Sequence, residues 1–355
     1  MVLATQESKE ISVRVPSLGL GCAPLGNLYG ALTDTEADSL LEAAWAQGIR
    51  YFDTAPLYGF GLSESRLGKF LATKSRSDYF VSTKVGRRLV DNVGWHEQRE
   101  FFIDAAPFEP VFDYSYDGVM ESVRESLDRL NLTTIDCLLL HDIGEATHGD
   151  NHTAVFNEAM SGGLQAMRDL RAAGTVKAIG LGVNEWQVCD AAMSYADKSH
   201  TATSQVDWDC FLLAGRYTLL EQEPLKGFFE RCHARGIDLI MGGVFNSGIL
   251  ATGLSAQAKY NYGAVPMALA DKVRAIEEQC ATYHVSLPAA ALQFPKAHQD
   301  VVSTVVGLSS PSEIDACVRN LKTPIDPRFW QSLKHKGLLP QNAPVPTAGR
   351  MEALT

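Results

Sequence analysis

The chain has 355 residues, of which 46% are hydrophobic and 21% charged, and its formal net charge is −11. That is ordinary globular usage with enough apolar residues for one large core, which excludes a fibrous or disordered chain. The negative balance, with no dense Lys/Arg run against it, argues against nucleic acid or anionic membrane as a partner, and no apolar run approaches the roughly 18 residues of a membrane helix.

Met1 to Ser8 is too polar for a signal peptide, so a cytoplasmic location is expected. Ser17 to Cys22 reads as a short buried strand. Gly19 and Gly21 begin a Gly-x-Gly, but Pro24 and Leu25 stand where a dinucleotide fingerprint needs a third glycine opening a helix, so no Rossmann turn is read here. After the loop Gly26 to Ala31, Thr33 and Asp34 cap a helix from about Thr35 to Gln47. Ala37, Leu40, Leu41, Ala44 and Trp45 share one face of it, and Gly48 closes it. The apolar run Ile49 to Phe52 then ends on Asp53. A turn bearing Pro56 and Gly59 carries Tyr58, and a helix follows from about Ser63 to Ala72.

The pattern repeats along the chain. Tyr79 to Lys84 is a strand ending on a lysine. Residues 85–114 show no clear periodicity but hold Trp95, Phe101, Phe102, Phe108 and Phe112. A stretch this long and this aromatic reads as an active-site lid. Tyr116 to Leu130 is a helix, and Ile135 to Leu140 a strand ending on His141. A helix near Ala154 to Ala172 stops at Gly174, and the strand Val176 to Val183 and a helix from about Glu185 to Ala196 follow. Ala202 to Val206 reads as a strand and Leu220 to Ala234 as a helix. After Gly236 come the strand Ile237 to Met241 and a Gly-rich loop at 242–264. Helices at Ala268 to Tyr283 and Pro288 to His298 lead to the last strand, Val301 to Val306, and the helix Pro311 to Leu321. The tail from Ala343 to Thr355 reads as frayed. The 7 cysteines are dispersed, with no Cys-x-x-Cys, and are read as buried free thiols in a reducing cytoplasm.

About eight strands alternating with helices, without a linker-like break, imply a parallel sheet with helices outside, closed as a single (β/α)₈ TIM barrel over 1–355. The strands are near-continuous apolar runs, as expected when both faces are covered. Asp53, Lys84 and His141 each end a successive strand, and Tyr58 lies in the loop after the first. Parallel strands lie roughly 5 Å apart, so the four groups can converge at the C-terminal mouth. Each alone has a plainer reading: a turn-forming acid, a rim tyrosine, a snorkelling lysine, a hydrogen-bonded loop histidine. His148 and His152 flank Asp150 without a third ligand nearby, and no metal site is read there.

Asp53-Thr54-Ala55 with Tyr58-Gly59, the lysine of Val81-Ser82-Thr83-Lys84 and the histidine of Leu138-Leu139-Leu140-His141 together resemble the aldo-keto reductase family, from about Leu18 to Leu321. The resemblance implies a nicotinamide cofactor across the barrel mouth. It implies that Tyr58 exchanges the proton, that Lys84 and Asp53 tune it, and that His141 positions the substrate oxygen. The physics agrees: an ammonium about 4 Å from a phenol, at an effective dielectric near 20, offers roughly 4 kcal/mol to the phenolate. One pKa unit is about 1.4 kcal/mol, so the phenol falls by up to about 3 units. By position, Asn184 and Gln205 are implied to bind the nicotinamide amide, although Val183 stands where relatives usually have serine. Gly242, Gly243, Val244, Phe245, Asn246, Ser247 and Gly248 match the pyrophosphate-binding loop, with Gly242 in place of the usual stacking tyrosine. Gly307, Ser309 and Ser310 match the adenosine end of the site.

Within the family, Ala23 to Leu28, Phe112 to Ser115, His141-Asp142 and Gly243 to Gly248 are similar to the branch holding D-threo-aldose 1-dehydrogenase and pyridoxal 4-dehydrogenase. That implies oxidation of a cyclic hemiacetal, an aldose such as L-fucose, L-galactose or D-arabinose, or pyridoxal, to a lactone. The alternatives are a general NADPH-dependent carbonyl reductase and, in a different class, a cofactor-binding regulatory subunit. NAD is expected over NADP, because no Lys or Arg follows Gly307 before Arg319, whereas Glu313 does.

Overall fold

The computed structural model describes residues 15–92, 98–99, 101–199, 208–255, 258–261 and 263–347. Eight parallel strands close a barrel. In chain order they are β1 (Leu18–Gly21), β2 (Tyr51–Asp53), β3 (Phe80–Val85), β4 (Ile135–His141), β5 (Val176–Val183), β6 (Cys210–Ala214), β7 (Asp238–Gly242) and β8 (Val301–Gly307). Each pairs with its sequence neighbour, and β8 closes on β1 with Gly21 opposite Gly307. Every residue of β3 and of β4 is buried, because the helices cover their outer face and side chains fill their inner one.

That filling is a packed core: Tyr51, Phe80, Cys137, Leu139, Cys210, Leu212, Ile240 and Val305 occupy the barrel interior. A second, larger apolar layer lies between barrel and helices. The helix Asp34–Ala46 begins as expected, with Thr33 and Glu36 forming a reciprocal capping box. The helix Tyr116–Leu130 has the expected bounds, capped by Ser115 and stopped by Asn131 in the left-handed region.

Several boundaries differ from the sequence reading, each for a physical reason. The sixth barrel strand is Cys210–Ala214, whereas Ala202 to Val206, the expected strand, lies outside the described residues. Cys-Phe-Leu-Leu-Ala has no β-branched residue, so its own preference hid it. The helix expected from Leu220 begins only at Phe228. Pro224 confines the preceding stretch to one short turn, and Gly227, at φ 99, breaks the chain before the helix. The helix expected near Ala154 starts at His152 and widens to a π-turn over Ala159–Gly163.

The stretch 85–114 is not structureless. Arg87–Asp91 pairs antiparallel with Phe108–Phe112, and Gln98–Arg99 with Phe102–Ile103. Trp95 lies outside the described residues. The 242–264 loop contains the turn of helix Ile249–Thr252 and a small hairpin, Lys259–Tyr260 with Gly263–Ala264. A last helix, Pro327–His335, went unread, and its Phe329, Trp330 and Leu333 are buried. The expected fraying does not hold at the start of the tail, where Ala343 is 1% exposed and Val345 packs on the core, and 348–355 lie outside the described residues.

Candidate active site

The strand register brings the three strand ends to one rim. Asp53 stands opposite Gly21 and Ser82, Lys84 opposite Leu139, and His141 opposite Gly182. Lys84, 2% exposed, uses all three ammonium protons: Nζ donates to Asp53 Oδ2 at 2.7 Å, Thr54 O at 2.9 Å and Tyr58 Oη at 3.0 Å. Burial alone would lower its pKa, but the Asp53 carboxylate and the Tyr58 phenol outweigh burial and raise it. Lys84 is therefore a fixed cation. It only donates, so Tyr58 Oη is the acceptor, and the bond favours phenolate over phenol.

Asp53 is held in turn from β3 and from its own strand. Ser82 Oγ donates to Asp53 Oδ1 at 2.6 Å, and Tyr51 Oη lies 3.0 Å from Ser82 Oγ. A carboxylate only accepts, so the serine proton goes to Asp53 and Tyr51 must donate to Ser82. Both supports escaped the sequence reading.

Tyr58 is placed by a tight turn. Gly59 takes φ 64, and a Cβ there would lie 2.5 Å from Gly26 O, so the turn closes on the loop after β1 only because both residues are glycine. Above it, Phe60, Leu89, Phe102 and Ala105 form a buried apolar cluster against which Tyr58 packs, with the Tyr58 and Phe102 rings 6.5 Å apart. The aromatic stretch thus folds down onto the phenol's loop.

His141, 6% exposed, sets its ring edge-on to Tyr58 at 6.1 Å between centroids. Burial, then the Arg87 and Lys84 cations, hold its pKa well below the usual histidine value, so the imidazole is neutral. Its Nε2 lies 3.5 Å from Asp142 Oδ2, while Nδ1 is buried without a partner among the described residues. A carboxylate on the Nε2 side favours the tautomer carrying its proton there. Asp142 also accepts from Arg87 Nη2 at 2.8 Å and from Asn184 Nδ2 at 3.1 Å. Gly86, at φ 106, lets this segment pass over the Tyr114 ring, where a Cβ would collide. Tyr114 Oη donates to His141 O at 2.6 Å. No local signal marks Arg87, because its partner lies 55 residues away.

Of the residues matched to the cofactor site, Asn184 lies at the end of β5, beside His141 through Asp142. Gln205 lies outside the described residues. Gly242 ends β7, and the chain then curls through left-handed conformations at Gly243, Asn246, Ser247 and Gly248. Val244 is buried in the core, and the Asn246 side chain is engaged internally, accepting from Thr218 Oγ1 at 2.6 Å and donating to Gly215 O at 3.2 Å. These two side chains shape the loop, and Phe245 packs half-buried beside them. The curl carries no acidic residue, and two glycines let backbone approach a ligand, so its chemistry suits a pyrophosphate. Gly307 ends β8 across from Gly21. Beyond it Glu313 Oε2 accepts from Ser309 N at 2.7 Å and Ser309 Oγ at 3.0 Å, while Ser310 caps the helix Pro311–Lys322.

Residues 17–337 match the model of the Aldo/keto reductase family. The chain is 42% identical to a pyridoxal 4-dehydrogenase of Microbacterium luteolum, over 92% of this chain and 95% of that one. It is 38% identical to a D-threo-aldose 1-dehydrogenase of a Pseudomonas species, with the same coverage. Among solved structures, an aldo-keto reductase from Bacillus halodurans in its holo form matches with TM-score 0.67 at 23% identity, covering 94% of this chain and 95% of that one, which bears on the fold. The chain belongs to the aldo/keto reductase family, whose members are oxidoreductases using nicotinamide cofactors.

Proposed function

We propose that this aldo/keto reductase oxidises a cyclic hemiacetal to a lactone with NAD, its substrate being an aldose of the L-fucose, L-galactose or D-arabinose kind, or pyridoxal. The observation that carries the reading is the Lys84 ammonium bridging Asp53 and Tyr58 beside a neutral His141. The names of the two relatives point to the substrate class, since the sugar and pyridoxal both present a ring hemiacetal carbon bearing one hydrogen and one hydroxyl.

When bound, the nicotinamide supplies the acceptor for the hydride leaving the hemiacetal carbon. Tyr58 Oη takes the hydroxyl proton as the carbon–oxygen double bond forms, acting as general base. Lys84 stabilises the phenolate that does this, and Asp53, braced by Ser82, keeps Lys84 in place. His141 donates from Nε2 to the substrate oxygen and orients it. Asn184 and Gln205 hold the nicotinamide amide, residues 242–248 the pyrophosphate, and Gly307, Ser309 and Ser310 the adenosine end. Glu313 at that last turn disfavours a 2′-phosphate by charge, which supports NAD over NADP.

The test is a screen of L-fucose, L-galactose, D-arabinose and pyridoxal with NAD, read by absorbance of the reduced cofactor and by identification of the lactone. NAD reduction with lactone formation from at least one is expected. Inactivity on all four, with NADPH-dependent reduction of simple aldehydes, would replace this reading by the general reductase.

A further inference from the structure

We propose that Arg87 and Asp142 form a positioning pair that fixes the donor–acceptor sense of both Asn184 and His141, so that cofactor affinity depends on a residue of the flap, the aromatic stretch at 85–114. The inference rests on the functional reading above.

Asp142 is anchored by its backbone and by its carboxylate. Its N–H donates to Gly182 O at 3.1 Å, and its carbonyl accepts from Tyr114 Oη at 3.2 Å and lies 2.8 Å from His148 Nε2. It sits at φ 48, a left-handed conformation that aspartate tolerates. The carboxylate, in a residue 8% exposed, is thereby held between Asn184, His141 and Arg87.

A carboxylate has no proton to give, so its neighbours must turn their donors toward it. Asn184 presents its NH₂ group, which leaves its Oδ1 as the acceptor for the amide N–H of a nicotinamide. His141 Nε2 lies 3.5 Å from Asp142 Oδ2, with no close hydrogen bond, so the carboxylate biases the tautomer toward Nε2–H and leaves that proton for the substrate oxygen. One charge therefore settles two choices that asparagine and neutral histidine would otherwise leave open. That charge needs a cation, since a buried carboxylate without one is costly. Arg87 supplies it from the first strand of the flap, with its guanidinium 5.2 Å over the Phe112 ring. Lys84 has no proton to spare for this role, because all three are engaged elsewhere.

The experiment uses the full chain and the variants Arg87→Met, Arg87→Lys, Asp142→Asn and the double variant Arg87→Met/Asp142→Asn. NADH affinity is measured on the enzyme alone by quenching of tryptophan fluorescence, and kcat and KM are then measured with the best substrate of the screen. Circular dichroism checks folding, and Asp142→Asn carries the test if Arg87→Met does not fold. Arg87→Met and Asp142→Asn are expected to weaken NADH roughly ten- to hundredfold, the range for one lost charge-assisted bond. Arg87→Lys recovers most of that, and the double variant is no worse than either single one, because both changes break one unit. The KM for NAD rises while that for the substrate moves little. NADH affinity within twofold of wild type in folded Arg87→Met or Asp142→Asn overturns the pair, and so does a rise confined to substrate KM, which would make Arg87 a substrate contact. A wild-type protein that binds no NADH would sink the functional reading and this inference together.

Discussion

Replacing Lys84 by Met tests whether the ammonium makes Tyr58 a base. Nζ lies 3.0 Å from Tyr58 Oη. At an effective dielectric of about 20, a unit charge at that distance is worth about 5.5 kcal/mol to a phenolate. The Asp53 carboxylate, 2.7 Å from the same nitrogen, opposes part of this. If about half survives, the net is about 2.5 kcal/mol, or close to two pH units at about 1.4 kcal/mol each. A cation stabilises the phenolate, so losing it favours the phenol. The limb of the kcat/KM profile that reports the base therefore moves up, by about two units, and oxidation near pH 7 falls roughly a hundredfold. Lys84→Met also strands a buried carboxylate, at about 3–5 kcal/mol of stability. The companion Asp53→Asn/Lys84→Met removes that cost and should melt closer to wild type while staying as slow. The assay is kcat/KM against pH for the best substrate, with folding checked by circular dichroism. A folded Lys84→Met protein whose ascending, low-pH limb stays at the wild-type pH refutes the reasoning.

Tyr58→Phe removes the proposed proton acceptor and leaves Asp53, Lys84 and His141 in place; kcat is expected to drop roughly 10²–10⁴-fold with NADH affinity nearly intact, and wild-type turnover would end the assignment. NAD is expected to exceed NADP in kcat/KM with one good substrate, and a tenfold preference for NADP would reverse that. Glu313→Ala, which frees Ser309 of the carboxylate, should narrow the gap by raising NADP use while NAD use holds. No narrowing would show that Glu313 does not bear on cofactor choice.

The proposed catalytic groups were legible because each is a polar residue closing a largely apolar run, and a run of that kind in an α/β chain names a strand end. Asp53, Lys84 and His141 meet that description, and the structure brings them to one rim as expected. The sixth strand was not legible, since Leu and Ala in Cys210–Ala214 carry no β preference of their own. The flap hairpins escaped as well. The outer pair, Arg87–Asp91 with Phe108–Phe112, forms across residues 92–107, and Phe102, Phe60 and Leu89 pack together only once the flap has folded down. Arg87 and Asp142 failed for the same reason: nothing within a few residues of either announces the other.

The supports of the site divide differently, and the strand period explains how. Side chains two apart on a strand share a face. Tyr51 stands two before Asp53, Ser82 two before Lys84, and Leu139 two before His141. Each functional residue therefore ends a column that points into the barrel, and Tyr51 and Leu139 are indeed part of its interior core. A polar residue in such a column faces the functional group of the next strand, as Ser82 faces Asp53. Ser82 was thus readable in principle: a serine in a buried strand, two before a strand-end lysine and beside a strand-end acid, has no solvent to face and must find a hydrogen-bond partner. Arg87 has no such column, because it follows the turn at Gly86 and belongs to the flap. The groups that set the strength of the base are written into the strands, while the group that orients the cofactor side arrives from a loop by tertiary contact. Substitution of Arg87 should therefore alter cofactor affinity while leaving the ascending, low-pH limb where it is.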